Sequence, residues 1–330
     1  MATIALFGGS GKIGRRVVEL LGSQGHRVRA LVHRSLVPGD HVTCVEGSVA
    51  SAEDCQNVVR GSDIVIQLAT AKEDADKFFD VSIRGTLNIL EACRFANGIR
   101  QFILLSGDAA QGIWFYPHPQ PISEETPLAA YPGYYAFSKV MEETMTKQYE
   151  IQYGIRATIL RSSWVFEGDD LLNHFSILKN VNPAEPGHGF GEVPTAVLEL
   201  VREGQDRIPV LVDNAGDPLT RHIVHIDDLM QALAKVLDNE KSFGRDYNIA
   251  APESFQYRHS ADYISGKLSI PTIDIPNPQY HSFSIDISRA RRELGYDPVN
   301  NFHRMVEDAI EARAAILNGD SNNESNYHVH

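Results

Sequence analysis

The opening of the chain leaves few architectures available. A short β-type run, Thr3 to Phe7 (TIALF), passes directly into Gly8-Gly9-Ser10-Gly11-Lys12-Ile13-Gly14. The stretch that follows carries apolar residues at helical spacing and closes on Gly25. Gly8, Gly11 and Gly14 spell G-x-x-G-x-x-G. Residues without a Cβ let the chain turn tightly, let a pyrophosphate approach the backbone, and let the helix pack closely on the strand. The first helical turn then offers free N–H groups and a positive dipole to phosphate oxygens. A glycine-rich turn of this kind can also exist without a ligand. Its place as the first strand–helix unit of an alternating chain favours a dinucleotide site formed by Gly8, Ser10, Gly11, Lys12, Ile13 and Gly14.

The alternation continues through RVRALVH, HVTCVEG, the helical SAEDCQNVVRG, IVIQLAT, the long helical run FFDVSIRGTLNILEACRFANG and QFILLSG. Beyond a Pro-rich loop (YPHPQP) come the helix YYAFSKVMEETMTKQYEIQYG and the strand ATILRSS. Strands alternating with helices imply parallel pairing, so the expected fold class is α/β, a doubly wound parallel sheet of Rossmann type. After Phe166 the pattern loosens: residues 182–194 are rich in Pro and Gly, and the elements IPVLVD, RHIVHI, DDLMQALAKVLDN and DYNIA are short. Helices are expected near Ser284 to Leu294 and over FHRMVEDAIEARAAILNG. This organisation predicts a nucleotide-binding domain over 1–165 and a smaller C-terminal α/β substrate lobe over 166–318 that returns strands to the main sheet. Residues 319–330 are expected to form a flexible tail.

Composition serves mainly to exclude. A chain of 330 residues with 43% hydrophobic content can bury a core without a disulfide or metal staple. A formal net charge of −13 disfavours a nucleic-acid partner but says nothing against a small anion in its own pocket. Cys44, Cys55 and Cys93 have no paired-ligand spacing, which suits a reducing compartment. His222 and His225 would point to opposite faces of a β-type run, and His328 and His330 fall in the polar end, so no metal is expected. The N-terminal run lacks a basic start and a cleavage site, and no apolar run approaches the ~20 residues of a membrane span. A soluble cytoplasmic protein with no membrane partner is the expectation.

Two further places carry chemistry. An acid at the end of the second strand would bond a ribose 2′-hydroxyl, whereas an arginine accommodates a 2′-phosphate. Here the strand ends in His33-Arg34, with no acid until Asp40, which favours NADP over NAD unless Arg34 is only a solvated loop residue. The second place is Tyr135-x-x-x-Lys139. Residues i and i+4 share a helix face, and a nearby ammonium would lower the phenol pKa towards working pH, making Tyr135 a general acid/base. Tyr263 and Lys267 show the same spacing. Only Tyr135 heads the helix after the fifth strand, where strand carboxyl ends meet the cofactor cleft, so Tyr263 is expected on a surface helix.

The glycine signature, Tyr135-x-x-x-Lys139, Gly85-Thr86 in a long helix, HIVHIDDL at 222–229 and RRELGYDP at 291–298 occur in the order of the extended short-chain dehydrogenase/reductase family, which the chain resembles over residues 3 to about 312. The resemblance implies a Rossmann domain holding NAD(P), with Ser48, Val49, Ala69 and Ser163 joining the glycine turn, His33, Arg34, Tyr135 and Lys139 around the cofactor. It implies that Tyr135 shuttles a proton while Lys139 grips the nicotinamide ribose. It also implies a homodimer built through the helices that contain Leu87 and Met141. Departures from the family pattern bear on the substrate. The usual Ser or Thr after the fifth strand falls on Gly107, with Ser106 and Asp108 beside it as candidate catalytic replacements. On a strand a one-residue shift turns Ser106 to the other face. Asp108 stands where sugar 4,6-dehydratases carry an acid, or is a turn-forming residue. Ser82 stands where the family often has Asn, and Ser48 where it often has Asp.

Arg221 matches the arginine that binds the diphosphate of nucleotide-sugars, or it pairs with Asp217 or Asp227. Trp114 could wall a substrate pocket or merely pack a loop. The sequence therefore points to an NAD(P)-dependent oxidoreductase that transfers hydride at a secondary alcohol or ketone of a sugar or nucleotide-sugar, epimerase/dehydratase-like. The alternatives are an NADPH-dependent reductase or dehydrogenase of a free sugar or small carbonyl, and a non-catalytic NAD(P) sensor that kept the fold.

Overall fold

The computed structural model describes residues 1–184, 190 and 193–319. The tail expected over 319–330 lies outside the described residues from 320 onward, as do His328, His330 and part of the Pro/Gly-rich stretch at 182–194. The first half alternates as its sequence requires. Strands β1 (Thr3–Phe7), β2 (Arg27–Val32), β3 (Val42–Glu46), β4 (Ile64–Gln67), β5 (Gln101–Gly107) and β6 (Ala157–Ser162) are separated by helices α1 (Lys12–Ser23), α2 (Ala52–Val59), α3 (Gly85–Phe95) and α4 (Tyr134–Tyr153). The second half begins with β7 (Trp164–Phe166), α5 (Asp170–His174), α6 (Ile177–Asn180), α7 (Thr195–Arg202) and β8 (Ile208–Val212). It continues through β9 (Thr220–Arg221), β10 (Ile223–His225), α8 (Ile226–Val236), β11 (Arg245–Ile249), β12 (Phe255–Gln256), α9 (Tyr257–Leu268), β13 (Thr272–Pro276), α10 (Ser288–Leu294) and α11 (Phe302–Leu317).

Seven strands form one sheet in the order β11-β6-β5-β4-β1-β2-β3, with every pairing parallel. This is the doubly wound α/β arrangement. The pleat sorts each strand's apolar residues between two layers: Ile4 and Leu6 join Val17 and Leu21 of α1 and Leu229 of α8, while Ala5 and Phe7 join Val58 of α2 and Ile89 of α3. β11 comes from far down the chain and completes the sheet edge beside β6. The other six strands of the second half pair as β7–β10, β8–β13 and β9–β12. Strand order reverses between β1 and β4, and at such a switch point the connections leave on opposite faces and open a crevice at the strand carboxyl ends.

The long helix expected over Phe78 to Phe95 is divided: Phe78–Arg84 is π-helical and only Gly85–Phe95 is α-helical. The Ser82 hydroxyl accepts from the Ala71 N–H at 2.9 Å and lies 3.2 Å from Thr70 Oγ1, tying this segment to the loop after β4. A wide turn at such a tether accommodates a contact that a regular helix would miss. Cys44, Cys55 and Cys93 are free. No helix among the described residues is long and apolar enough to cross a membrane.

Candidate active site

The crevice at the switch point is a cavity of about 900 Å³. Its floor is the glycine turn, with Gly8, Ser10, Gly11, Lys12, Ile13 and Gly14 all bordering it. Gly8 has φ +87°, and a Cβ there would stand 2.7 Å from the Ala69 amide nitrogen of the neighbouring strand end. A Cβ at Gly14 would stand 2.2 Å from the Gly8 carbonyl oxygen. Side chains at the first and third glycines of the signature are thus excluded by backbone, which is the cradle a pyrophosphate needs at the start of α1. Lys12 reaches across to Asp170, with which it is ion-paired, and donates to the Val165 carbonyl at 3.0 Å. Lys72 also borders the cavity, and burial together with Lys12 brings its pKa down to about 8.

Tyr135 and Lys139 enter the same cavity from the first turns of α4. Glu73 holds the start of that helix: its carboxylate accepts from the N–H groups of Tyr134 at 2.8 Å and Tyr135 at 3.2 Å. Lys139 is 3% exposed, its Nζ 5.6 Å from the centre of the Tyr135 ring. The ammonium does not lower the Tyr135 pKa as the spacing suggested. Burial pushes the phenol up, and Asp108 and Glu142 add to the rise. Lys139 Nζ also lies 2.9 Å from Glu142 Oε2, so its positive charge is met in part by a carboxylate.

The residues after β5 settle how the missing hydroxyl is arranged. A Cβ at Gly107 would lie 3.1 Å from the Tyr135 hydroxyl oxygen, so this position does face the phenol and brings no side chain to it. Ser106 borders the cavity, and its hydroxyl donates to Glu143 Oε1 at 2.6 Å, in a buried network in which Glu143 also receives Arg161. Asp108 borders the cavity, and burial raises its pKa to about 6. Ser163 Oγ lies 2.8 Å from Asp108 Oδ2 and 2.6 Å from the His222 carbonyl oxygen. Ser163 donates to Asp108 and shares its proton with the His222 carbonyl, a contact that partly offsets the rise caused by burial.

Arg221 is 7% exposed and lies at the far wall, its guanidinium 4.6 Å from the Trp114 ring centre and 4.1 Å from that of Trp164. It makes no ion pair with Asp217 or Asp227; Asp227 pairs with Arg16 at 2.6 Å. Arg221 Nε is buried and has no hydrogen-bond partner among the described residues. Trp114 has φ +68°, a conformation rare for a bulky residue, and its carbonyl accepts from the His281 N–H at 2.6 Å. Tyr131, His174 and Tyr280 complete this aromatic wall. They come from three separate stretches of the chain, and no local motif announces them.

Four of the residues assigned to the cofactor do not border the cavity. His33 and Arg34 are exposed just past β2. The Ser48 hydroxyl accepts from the Ala50 N–H at 3.2 Å, and the Val49 carbonyl accepts from Asn88 at 2.9 Å. Ala69 and Ser163 do border it. His222, fully in the interior, accepts from the Ile285 N–H through Nδ1 and meets the Ala251 carbonyl through Nε2, the pattern of a neutral ring; burial lowers its pKa to about 4. His225 Nδ1 accepts from the Asp227 N–H at the start of α8, apart from His222.

A seven-stranded parallel sheet, a glycine cradle at its switch point and a Tyr-x-x-x-Lys helix entering the same crevice define a nicotinamide-nucleotide enzyme of the short-chain dehydrogenase/reductase type. The family model for the NAD dependent epimerase/dehydratase family matches residues 4–250, and the chain belongs to that family. The chain is 29% identical to the L-arabinose 1-dehydrogenase (NAD(P)(+)) of Haloferax volcanii, over 52% of this chain and 70% of that one. It is 28% identical to a UDP-glucose 4-epimerase of Streptococcus mutans, over 69% of this chain and 70% of that one. A solved short-chain dehydrogenase/reductase superfamily protein of Agrobacterium tumefaciens with bound NAD superposes with a TM-score of 0.83 at 24% identity, covering 96% of this chain and 99% of the other. The protein is accordingly an NAD-dependent, epimerase/dehydratase-like enzyme of the extended short-chain dehydrogenase/reductase family.

Proposed function

We propose that the enzyme acts at a secondary alcohol or ketone carbon of a sugar or nucleotide-sugar, with Tyr135 exchanging the proton of the reacting oxygen. The observation that carries this reading is that Tyr135, Lys139 and the glycine cradle share one cavity. When bound, the nicotinamide cofactor accepts or supplies the hydride. The residues of the chain do the remainder. The backbone at Gly8, Ser10 and Gly11, with Lys12, Ile13 and Gly14, would hold the pyrophosphate, and Ala69 and Ser163, which border the same cavity, would join them in holding the cofactor. Lys139 Nζ, already bonded to Glu142 and to the Leu105 carbonyl at 3.3 Å, has a third N–H for the ribose. Tyr135 Oη takes the proton when the alcohol is oxidised and returns it on reduction. Asp108 bonds the substrate beside Tyr135, and Trp114 and Arg221 grip its distal, anionic end, where a guanidinium that makes no ion pair among the described residues suits a phosphate or carboxylate.

NADP is the favoured cofactor, supported by Arg34, which stands exposed past β2 and makes no ion pair among the described residues. The same feature supports the second reading, a dehydrogenase or reductase whose cofactor leaves changed; the Haloferax relative is named as a dehydrogenase. We further assign residues 1–165 to cofactor binding and 166–318 to a substrate lobe. A cytoplasmic homodimer fits the apolar residues exposed along and beside α3 and α4, among them Phe79, Leu87 and Phe137.

The test is to identify any nicotinamide nucleotide that copurifies, then to offer UDP-sugars, free sugars and sugar acids with NAD and NADP. Isomerisation or dehydration without net cofactor change supports the epimerase/dehydratase reading, and net reduction of added cofactor supports the dehydrogenase. No turnover on any class, with Tyr135→Phe indistinguishable from wild type, would overturn both and leave the non-catalytic sensor.

A further inference from the structure

Two adjacent glutamates on α4 are buried, and they are treated very differently by their surroundings. Glu143 is fully engaged: Arg161 donates to it through Nε at 3.0 and 3.1 Å and Nη2 at 2.9 Å, and Ser106 donates at 2.6 Å. That network joins α4 to β5 and β6 and is structural. Glu142 is 0% exposed and receives only Lys139, through Oε2; its Oε1 has no hydrogen-bond partner among the described residues. A buried carboxylate oxygen left unpaired is costly. A residue placed merely to fill this helix position would be apolar, since well-packed hydrophobic side chains commonly replace buried ion pairs without loss. The fold therefore gives no account of the Glu142 carboxylate, whose one hydrogen bond among the described residues is with the lysine of the active pair.

We infer that Glu142 is a positioning residue for the proton transfer, fixing Lys139 Nζ and tempering its charge towards Tyr135. An ammonium alone 5.6 Å from a phenol ring acts as a unit positive charge. With a carboxylate 2.9 Å from it, the two act as a dipole, whose field falls faster with distance. Tyr135 thus keeps its proton more firmly than the Tyr-x-x-x-Lys spacing alone would allow, and the pair works as acid and base at more alkaline pH. The other ionisable groups that act on the pair are Asp108, from the end of β5, and Tyr131, from the loop before α4. Glu143 acts on Glu142 from the same helix, Arg161 and Asp246 bind around Glu143 and its arginine, and Arg221 faces Asp108 across the cavity.

This inference rests on the reading of Tyr135 as the proton-transferring group, but its test needs no substrate. Global 3-fluorotyrosine labelling makes each phenol more acidic and gives it a ¹⁹F reporter, and the resonance of Tyr135 is assigned by its loss in Tyr135→Phe. Glu142→Gln should lower the Tyr135 titration midpoint by about one pH unit, while Glu307→Gln, on the surface, leaves it unmoved. An unmoved or raised midpoint in Glu142→Gln would overturn the inference. Glu142→Met serves as a second neutral variant if the amide does not fold, and it should give the same downward shift. Loss of the fold in both would also overturn the inference, because it would assign Glu142 to the frame. A downward shift together with full turnover in Tyr135→Phe would leave the electrostatics standing and remove the catalytic reading instead.

Discussion

Two tyrosines in this chain are followed four residues later by a lysine, and in both cases a glutamate sits on the lysine. Lys139 Nζ is 5.6 Å from the Tyr135 ring centre and 2.9 Å from Glu142; Lys267 Nζ is 5.4 Å from the Tyr263 ring centre and 2.8 Å from Glu307. The internal geometry of the two groups is nearly the same. Their surroundings are not. The lysine and glutamate side chains of the first are 4% and 0% exposed and meet the crevice at the sheet switch point, whereas those of the second are 43% and 44% exposed. Tyr263 also turns its hydroxyl to Glu307, a hydrogen bond that occupies it. Helix periodicity therefore fixes how tyrosine and lysine sit relative to each other, and only the place of the helix in the sheet decides whether they do chemistry.

The comparison is most exposed to failure at the tyrosines. Tyr135→Phe should lower kcat by roughly 10²- to 10⁴-fold, the usual contribution of a positioned acid/base, and Tyr263→Phe should leave kcat unchanged in the same assay. An equal loss in both would abolish the distinction. A smaller effect concerns the buried carboxyl beside the active pair. Asp108 has a pKa of about 6 in the fold against 3.8 in the open chain, so between those values the folded state holds a proton the unfolded state has released. Stability is therefore lost as pH rises from about 4 to about 6 and is not regained above it. Asp108→Asn removes that loss, and denaturant melts should show the variant more stable than wild type by about 3 kcal/mol at pH 8, with the advantage shrinking towards pH 4. An advantage independent of pH would point to packing rather than ionisation. The smallest effect belongs to the surface group: Glu307→Gln should leave melting temperature and kcat within error across the same pH range.

Much of this fold could be read from the sequence, for identifiable reasons. The strands of the nucleotide-binding half are short apolar runs bounded by glycine, and the pleat of a sheet covered on both faces demands such runs. Gly8 and Gly14 could be read because backbone approach excludes any side chain there. Tyr135 and Lys139 could be placed because the helix that bears them follows β5 in order. Lys139's charge partner could not: Glu142 and Glu143 are neighbours of identical type, and only the packing of β5 and β6 sends one to Arg161 and the other to Lys139. The partner of the Ser106 hydroxyl was hidden for the same reason, since it turns to Glu143. The aromatic wall of Trp114, Tyr131, His174 and Tyr280 was legible only at Trp114. Its other members come from the irregular second half or from a loop, and side chains brought together by long-range packing share no periodicity.

The central claim is that spacing is shared and function is not, and the two lysines test it without any knowledge of the substrate. NADH and NADPH fluorescence titrations of wild type, Lys139→Met and Lys267→Met measure whether each ammonium takes part in holding the cofactor. Lys139→Met should weaken binding of whichever reduced cofactor wild type holds by about tenfold, the loss of one charge-assisted hydrogen bond, and Lys267→Met should bind as wild type. Equal affinities in all three proteins, or a weakening caused by Lys267→Met alone, would contradict the account.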